Sequence, residues 1–205
     1  MKIYLIRHGE TNLNKKRVLQ GRTDSELNEY GIELAEKTAE GLKNVAFDVV
    51  FTSPLKRAKK TAQIVARVEE TGIPVIEEPR IQEICFGEYE GLSYLKENYT
   101  IPDKEFMNFF MAPERFSPPK TGESLTEVIA RTGDFVQELL EDPAYEEKTV
   151  LLSTHGCALK AILANIRQTP LKDFWGDGVH KNCAVTIVEV KNKAATVLEE
   201  GKVYY

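Results

Sequence analysis

The chain has 205 residues, 42% hydrophobic and 29% charged, which suits one large globular domain with a sizeable core and excludes a disordered chain. A formal charge of −5 without a polybasic run excludes nucleic acid and anionic membrane surfaces as natural partners. No apolar stretch reaches spanning length and the start has no signal-peptide pattern, so a cytoplasmic location is the default expectation. Any anionic ligand must be met by cations gathered locally.

In chain order, Ile3–Ile6 is an apolar run of strand length that ends on Arg7-His8-Gly9-Glu10-Thr11, where Gly9 lets the backbone turn closely past its neighbours. A helix is expected over Gly31 to Leu42. A second strand, Phe47–Phe51, leads into Thr52-Ser53, with Ser53 as N-cap and Pro54 at the first position of a helix marked by Leu55, Ala58, Ala62 and Val65. Val75–Ile76 is a third strand. From Leu92 to Thr121 no strand is visible, yet this stretch holds Tyr94, Tyr99, Phe106, Phe109, Phe110 and Phe116 with four prolines. It reads as a helical and loop insertion at about 92–121 lying over the sheet's edge, either a substrate lid or a segment glued down by its aromatics.

Ser124 and Glu127 make a capping box for a helix whose apolar face runs from Leu125 to Leu140. A fourth strand, Val150–Leu152, ends on Ser153-Thr154-His155-Gly156, and a helix follows from Gly156 to Ile166. Cys183–Val190, the link Lys191-Asn192-Lys193 and Ala194–Leu198 read as an antiparallel hairpin. Uninterrupted apolar strands alternating with helices predict an α/β fold: a single-domain, three-layer sandwich with a mostly parallel central sheet, an antiparallel edge strand and helices on both faces. The three cysteines, Cys85, Cys157 and Cys183, fit neither a zinc pattern nor a disulfide framework and read as reduced, mostly buried thiols.

Three of these strands end on chemistry. Parallel neighbours deliver their carboxyl ends to one edge, where ligands of open α/β sheets sit and helix N-termini favour anions. Arginine offers a planar donor fork for phosphate, and neutral imidazole is a nucleophile. Each residue alone has a bland reading: His8 or His155 as a satisfied structural histidine, Arg57 as one solvated charge in Lys56-Arg57-Ala58-Lys59-Lys60, Glu83 as a surface acid. His180, after Gly176-Asp177-Gly178, is read as a surface or rim residue. The joint pattern is what points to phosphoryl chemistry.

Arg7-His8-Gly9-Glu10-Thr11 with Asn14, Gln20-Gly21, Asp24 and Leu27, then Ser53-Pro54-Leu55-Lys56-Arg57-Ala58 with Thr61-Ala62, resembles the histidine phosphatase superfamily, which includes cofactor-dependent phosphoglycerate mutases. Glu83 with Phe86-Gly87-Glu88-Tyr89-Glu90-Gly91, then Gly122-Glu123-Ser124 and Thr154-His155-Gly156, continue the resemblance in family order. It implies that His8 is the nucleophile that becomes phosphohistidine and that Glu83 is proton donor to the leaving group. Arg7, Arg57 and His155 would surround the phosphate, with Asn14, Gln20, Gly21 and Gly156 as further phosphate or substrate contacts. Neither a metal ion nor another cofactor is called for, since the arginines meet the charge on the equatorial oxygens.

Where the family often has tryptophan this chain has Leu13, and where it often has a second glycine it has Cys157, a thiol beside His155 that is expected to confer oxidant sensitivity. The sequence from Phe86 to Gly91 resembles the phosphatase branch, so hydrolysis of a small phosphorylated metabolite is the favoured activity. A phosphoglycerate mutase, a non-catalytic phosphate-binding module and a metal-dependent hydrolase built on His8, His155 and Glu83 are the alternatives. Oligomeric state is not legible.

Overall fold

The first strand, β1 (Lys2–Arg7), is buried on both faces: Ile3 and Leu5 join one apolar cluster, and Tyr4 and Ile6 join another. A strand covered on both sides requires helices on both sides. The computed structural model describes residues 1–205 and supplies them. After β1 come α1 (Asn12–Lys15), α2 (Glu29–Gly41), β2 (Val49–Thr52), α3 (Lys56–Val65), α4 (Val68–Thr71) and β3 (Val75–Glu77). Then follow α5 (Asn108–Met111), α6 (Leu125–Glu141), β4 (Thr149–Thr154), α7 (Gly156–Arg167), β5 (Val185–Lys191) and β6 (Ala194–Lys202).

The six strands form one sheet in the order β3-β2-β4-β1-β5-β6. The first four are parallel, while β5 runs antiparallel to β1 and β6 antiparallel to β5. Side chains of α2 and α3 (Leu34, Ala35, Ala62, Val65) cover one face. Those of α6 and α7 (Phe135, Val136, Leu159, Ile162) cover the other. This is the three-layer α/β sandwich expected, with the β5–β6 hairpin paired antiparallel on one side. No helix is long and apolar enough to cross a membrane.

Several boundaries move for identifiable reasons. Cys183 has φ +56, which breaks strand geometry, so β5 starts at Val185 and not at Cys183. Phe47 lies before β2, its ring perpendicular to Tyr4 with centroids 5.3 Å apart. The hairpin turn uses Asn192 and Lys193, both at positive φ, as a right-twisted two-residue connection demands. The Ser124–Glu127 capping box is present. Ser53 and Pro54, by contrast, do not start α3: the helix begins at Lys56 with Leu55 as an N-cap that makes no side-chain bond. The Ser53 hydroxyl is drawn away to a different partner.

The segment 92–121 holds α5 and short 3₁₀ turns, with one isolated bridge joining Val18 to Ser93. Its rings build a second core. Phe109, 2% exposed, has Phe86, Phe106, Phe110, Phe116 and Trp175 around it with centroids 4.8–5.9 Å away. This cluster sits on Leu125 and Val128 of α6 and on Cys157, Ala161 and Ala164 of α7.

Candidate active site

The central strands β2, β4 and β1 are adjacent and parallel, so Thr52, Thr154 and Arg7 reach the same edge of the sheet. His8 follows directly, its amide donating to the Thr154 carbonyl at 2.9 Å. Gly9 must be glycine here: a Cβ would lie 2.5 Å from the Gly31 carbonyl oxygen. Its amide donates to Thr61 Oγ1 at 3.0 Å, which fixes the loop against α3.

The His8 ring is oriented at both nitrogens. Nδ1 lies 2.7 Å from the Gly9 carbonyl, an acceptor only, so Nδ1 carries the proton and Nε2 presents a lone pair. Arg57 Nε–H points at that lone pair from 3.3 Å. Burial, with Arg57 and Arg7 next in effect, holds His8 well below the usual imidazole range, which keeps it a free base.

Arg57 is fully buried on the first turn of α3. Its Nη1 donates to Thr23 O at 2.7 Å and its Nη2 to Gly21 O at 2.6 Å. Burial lowers its pKa to about 10, against support from Glu83 and Asp24, so it stays a cation at neutral pH. The loop that receives Arg57 is itself held by Glu90, whose carboxylate accepts from the Arg22 and Thr23 amides at 2.9 and 2.7 Å. Gly21 sits at φ +49, a left-handed conformation that glycine adopts without strain.

Glu83 approaches from the loop after β3 and lies against the start of α7. Its Oε1 accepts from the Cys157 and Ala158 amides, both at 3.1 Å, and from its neighbour Ile84 at 3.0 Å. The N-terminal amides of a helix suit an anion. Arg7 Nη1 donates to the His180 carbonyl, and its Nε is buried with no partner in the protein.

His155 lies beneath the site with no exposure, its ring centroid 5.1 Å from that of His8. Its Nε2 is 2.7 Å from Ser53 Oγ, which also accepts from the Leu55 amide at 3.3 Å. The other ring nitrogen, Nδ1, is buried with no partner in the protein. Burial, then Arg57 and His8, also hold His155 well below the usual range. An unsatisfied buried donor costs about 1–3 kcal/mol. Arg7 Nε is such a donor.

These groups converge on a cleft of about 750 Å³. Arg7, His8, Asn14, Gln20, Gly21, Arg57, Glu83 and Gly156 line it, while the fully buried His155 does not. Asn14 Oδ1 accepts from the Thr11 amide at 3.2 Å, and Gln20 Oε1 accepts from the Thr11 hydroxyl at 3.1 Å. In both side chains the amide nitrogen is the end left for a ligand. No three His, Cys, Asp or Glu side chains group to hold a metal ion.

Two expectations are corrected. His180 is a rim residue of the cleft but not a surface one: its side chain is 8% exposed, Nε2 meets Glu200 at 3.1 Å, and its carbonyl holds Arg7. Cys157 is not poised for oxidation. Its thiol is buried, and burial, with Glu83 second, pushes it well above the ordinary cysteine value, away from the reactive thiolate. The residues that sequence reasoning missed are Ser53 as partner of His155, Thr61 as anchor of Gly9, and Asn182, whose Nδ2 donates to the His8 carbonyl at 2.9 Å. Ser53 carried a signal that fitted a helix cap equally well; Asn182 carried none.

Two buried, neutral histidines have a consequence for stability. The unfolded chain protonates each near pH 6.5, while the folded chain resists, so below that pH the unfolded state binds more protons. Stability is therefore full above about pH 6.5 and falls as pH is lowered from there, by up to about 2.7 kcal/mol per unit for two groups. Urea titrations from pH 7 to pH 5 should show this slope, reduced by about one proton in His155→Gln. A wild-type slope of zero would contradict the burial of neutral imidazoles.

A family model described as histidine phosphatase superfamily (branch 1) matches residues 3–201. Among curated proteins, the chain is 33% identical to a metal-independent phosphoserine phosphatase of Arabidopsis thaliana, over 93% of this chain and 77% of that one. It is 31% identical to the probable phosphoglycerate mutase GpmB of Yersinia pestis (strain Pestoides F), over 83% and 76%. Among solved structures, Bacillus stearothermophilus YhfR superposes with a TM-score of 0.88 at 34% identity, covering 98% of this chain and 97% of the other.

Proposed function

This chain belongs to the histidine phosphatase superfamily, branch 1, and on that premise we propose that it is a metal-independent phosphomonoester hydrolase working through phosphohistidine on His8. One observation carries the proposal: His8 Nε2 is a lone pair fixed by the Nδ1–Gly9 bond and placed beside the Arg57 guanidinium, in the cleft that Arg7 and Glu83 also line. A nucleophile with a defined tautomer among unspent cationic donors is what in-line attack on a phosphoryl dianion requires.

In this scheme Arg7 and Arg57 hold the equatorial oxygens, helped by the amide nitrogens of Asn14 and Gln20 and by the close approach that Gly21 and Gly156 permit, with the buried His155 ring beside that of His8. His8 Nε2 attacks phosphorus, and the ester oxygen leaves with a proton from Glu83. Water then attacks the phosphohistidine, Glu83 takes its proton, and inorganic phosphate departs as His8 recovers its lone pair. General acid assistance is worth about 10²–10⁴-fold where the leaving group is an alkoxide.

The substrate is a small phosphorylated metabolite. Tyr94, Phe109 and Phe110 of the 92–121 segment line the same cleft, which supports a lid over the leaving group. Hydrolysis is preferred to mutase action because Phe86-Gly87-Glu88-Tyr89-Glu90-Gly91 follows the acid as in the phosphatase branch. The Arabidopsis relative, named a metal-independent phosphatase, supports the same choice.

The test is inorganic phosphate release from a panel of phosphomonoesters in excess chelator, with rapid quenching to trap the enzyme. Turnover should survive chelation, and an acid-labile, alkali-stable phosphoryl adduct should map to His8. Isomerisation of 3-phosphoglycerate outpacing phosphate release, with 2,3-bisphosphoglycerate present, would make it a mutase. Loss of activity on chelation would overturn metal independence.

A further inference from the structure

The matched motif Gly122-Glu123-Ser124 has no role in the scheme above, yet Glu123 belongs to the most fully satisfied ion pair in the molecule. Arg131, on α6, directs all five of its N–H groups at acceptors. Nε meets Glu123 Oε1 at 2.6 Å and Nη2 meets Glu123 Oε2 at 3.0 Å, a two-point carboxylate clasp. Nη1 donates to the carbonyls of Arg80 and Gln82 at 2.6 and 2.8 Å, and Nη2 also reaches the carbonyl of Glu83 at 3.2 Å. Glu123 Oε2 in turn accepts from the Cys85 amide at 3.3 Å. Both side chains are largely buried, 16% and 12% exposed, where solvent competes poorly.

This pair therefore holds the main chain on both sides of Glu83. The segment needs it: past the 3₁₀ turn Pro79–Ile81, residues 82–85 have no strand or helix to fix them. The remaining carbonyl, that of Ile81, accepts from Thr154 Oγ1 at 2.7 Å at the end of β4. Carbonyls 80 to 83 are thus all tied to α6 or β4, and the Glu83 carboxylate meets α7 at a set angle.

We propose that Arg131, braced by Glu123, is a positioning residue for proton delivery: it fixes the Glu83 carboxyl at the leaving-group oxygen without touching the substrate. The proposal rests on the hydrolase reading and on Glu83 as the acid. Its signature is a dependence on the leaving group. p-Nitrophenolate departs without a proton, whereas an alkoxide cannot, so misplacing the acid should harm only alkyl esters. The value of kcat/KM reports the steps up to alcohol release and is blind to phosphohistidine hydrolysis.

The experiment compares kcat/KM for p-nitrophenyl phosphate and glycerol 3-phosphate in wild type, Arg131→Met and the milder Glu123→Gln. The expected result is a fall of at least tenfold in the alkyl-to-aryl ratio for Arg131→Met, a smaller fall for Glu123→Gln, and p-nitrophenyl phosphate turnover within a few-fold of wild type. Equal losses on both esters in the soluble Glu123→Gln variant, or no loss on either, would overturn the positioning role while leaving the hydrolase intact. Wild type that hydrolyses neither ester would overturn the hydrolase proposal and this one with it.

Discussion

Replacing His8 with alanine is expected to lower kcat/KM for every phosphomonoester by at least about 10⁴-fold, the scale on which enzymes lose a covalent nucleophile. The expectation is strong because no other group in the cleft can take over. His155 is fully buried, does not line the cleft, and has Nε2 engaged by Ser53. Burial and Glu83 keep Cys157 protonated, and Glu83 Oε1 accepts from two amides at the start of α7.

The variant should fold. It loses the bond to the Gly9 carbonyl and exposes Arg57 Nε, but the main-chain ties from His8 to Thr154 and from Gly9 to Thr61 remain. Removing a buried base that resists protonation should also flatten the acid-side decline in stability by about one proton. Steady-state kinetics, far-ultraviolet dichroism and adduct trapping together check the result. A His8→Ala protein that keeps a tenth of wild-type activity, or still traps phosphate, would remove His8 from the nucleophile's role.

Arg57→Ala should be nearly as damaging, about 10³-fold in kcat/KM, by the measure of single donors aimed at transition-state charge. Its effect on stability should be much smaller than its burial suggests. The carbonyls of Gly21 and Thr23 lose their donor, at about 1–3 kcal/mol each. Against this, a guanidinium whose pKa falls from 12.5 to about 10 is disfavoured in its charged form by roughly 3 kcal/mol, and that strain disappears with the side chain. Arg57→Lys keeps the charge but not the fork that spans two carbonyls and His8, so it should recover only part of the loss.

A second readout separates this role from simple structural support. Arg57 is the strongest cationic influence depressing His8. Without it, the imidazole takes a proton at a higher pH, and activity should fall away earlier as the solution is acidified. The acid limb of kcat/KM in Arg57→Ala should therefore move upward. An unmoved limb with full loss of rate would mean that Arg57 acts on substrate alone.

Much of this architecture is written locally. The runs Ile3–Ile6 and Val150–Leu152 announce buried parallel strands because both their faces are apolar, and the sheet covers both with helices. The Ser124–Glu127 cap and the Asn192-Lys193 turn depend on neighbours three or fewer residues away, so they too could be read before folding. The site was legible for a related reason. Arg7, His8, Thr52 and Thr154 stand at strand ends or one residue beyond, and parallel pairing carries strand ends to one edge.

What pairs with what across the fold was not legible. Ser53 looks like a cap for α3, and only the arrival of His155 from 102 residues away gives its hydroxyl a better partner. His180 sits among glycines and polar residues, yet β6 brings Glu200 to its ring and its carbonyl braces Arg7. Cys157 beside a histidine suggests reactivity until the aromatic segment and α6 close over it. Charge state, tautomer and the angle of Glu83 depend on desolvation and on contacts distant in sequence. The linear order of residues thus determined which groups the strands deliver to the cleft, and tertiary packing alone decided their protonation and aim.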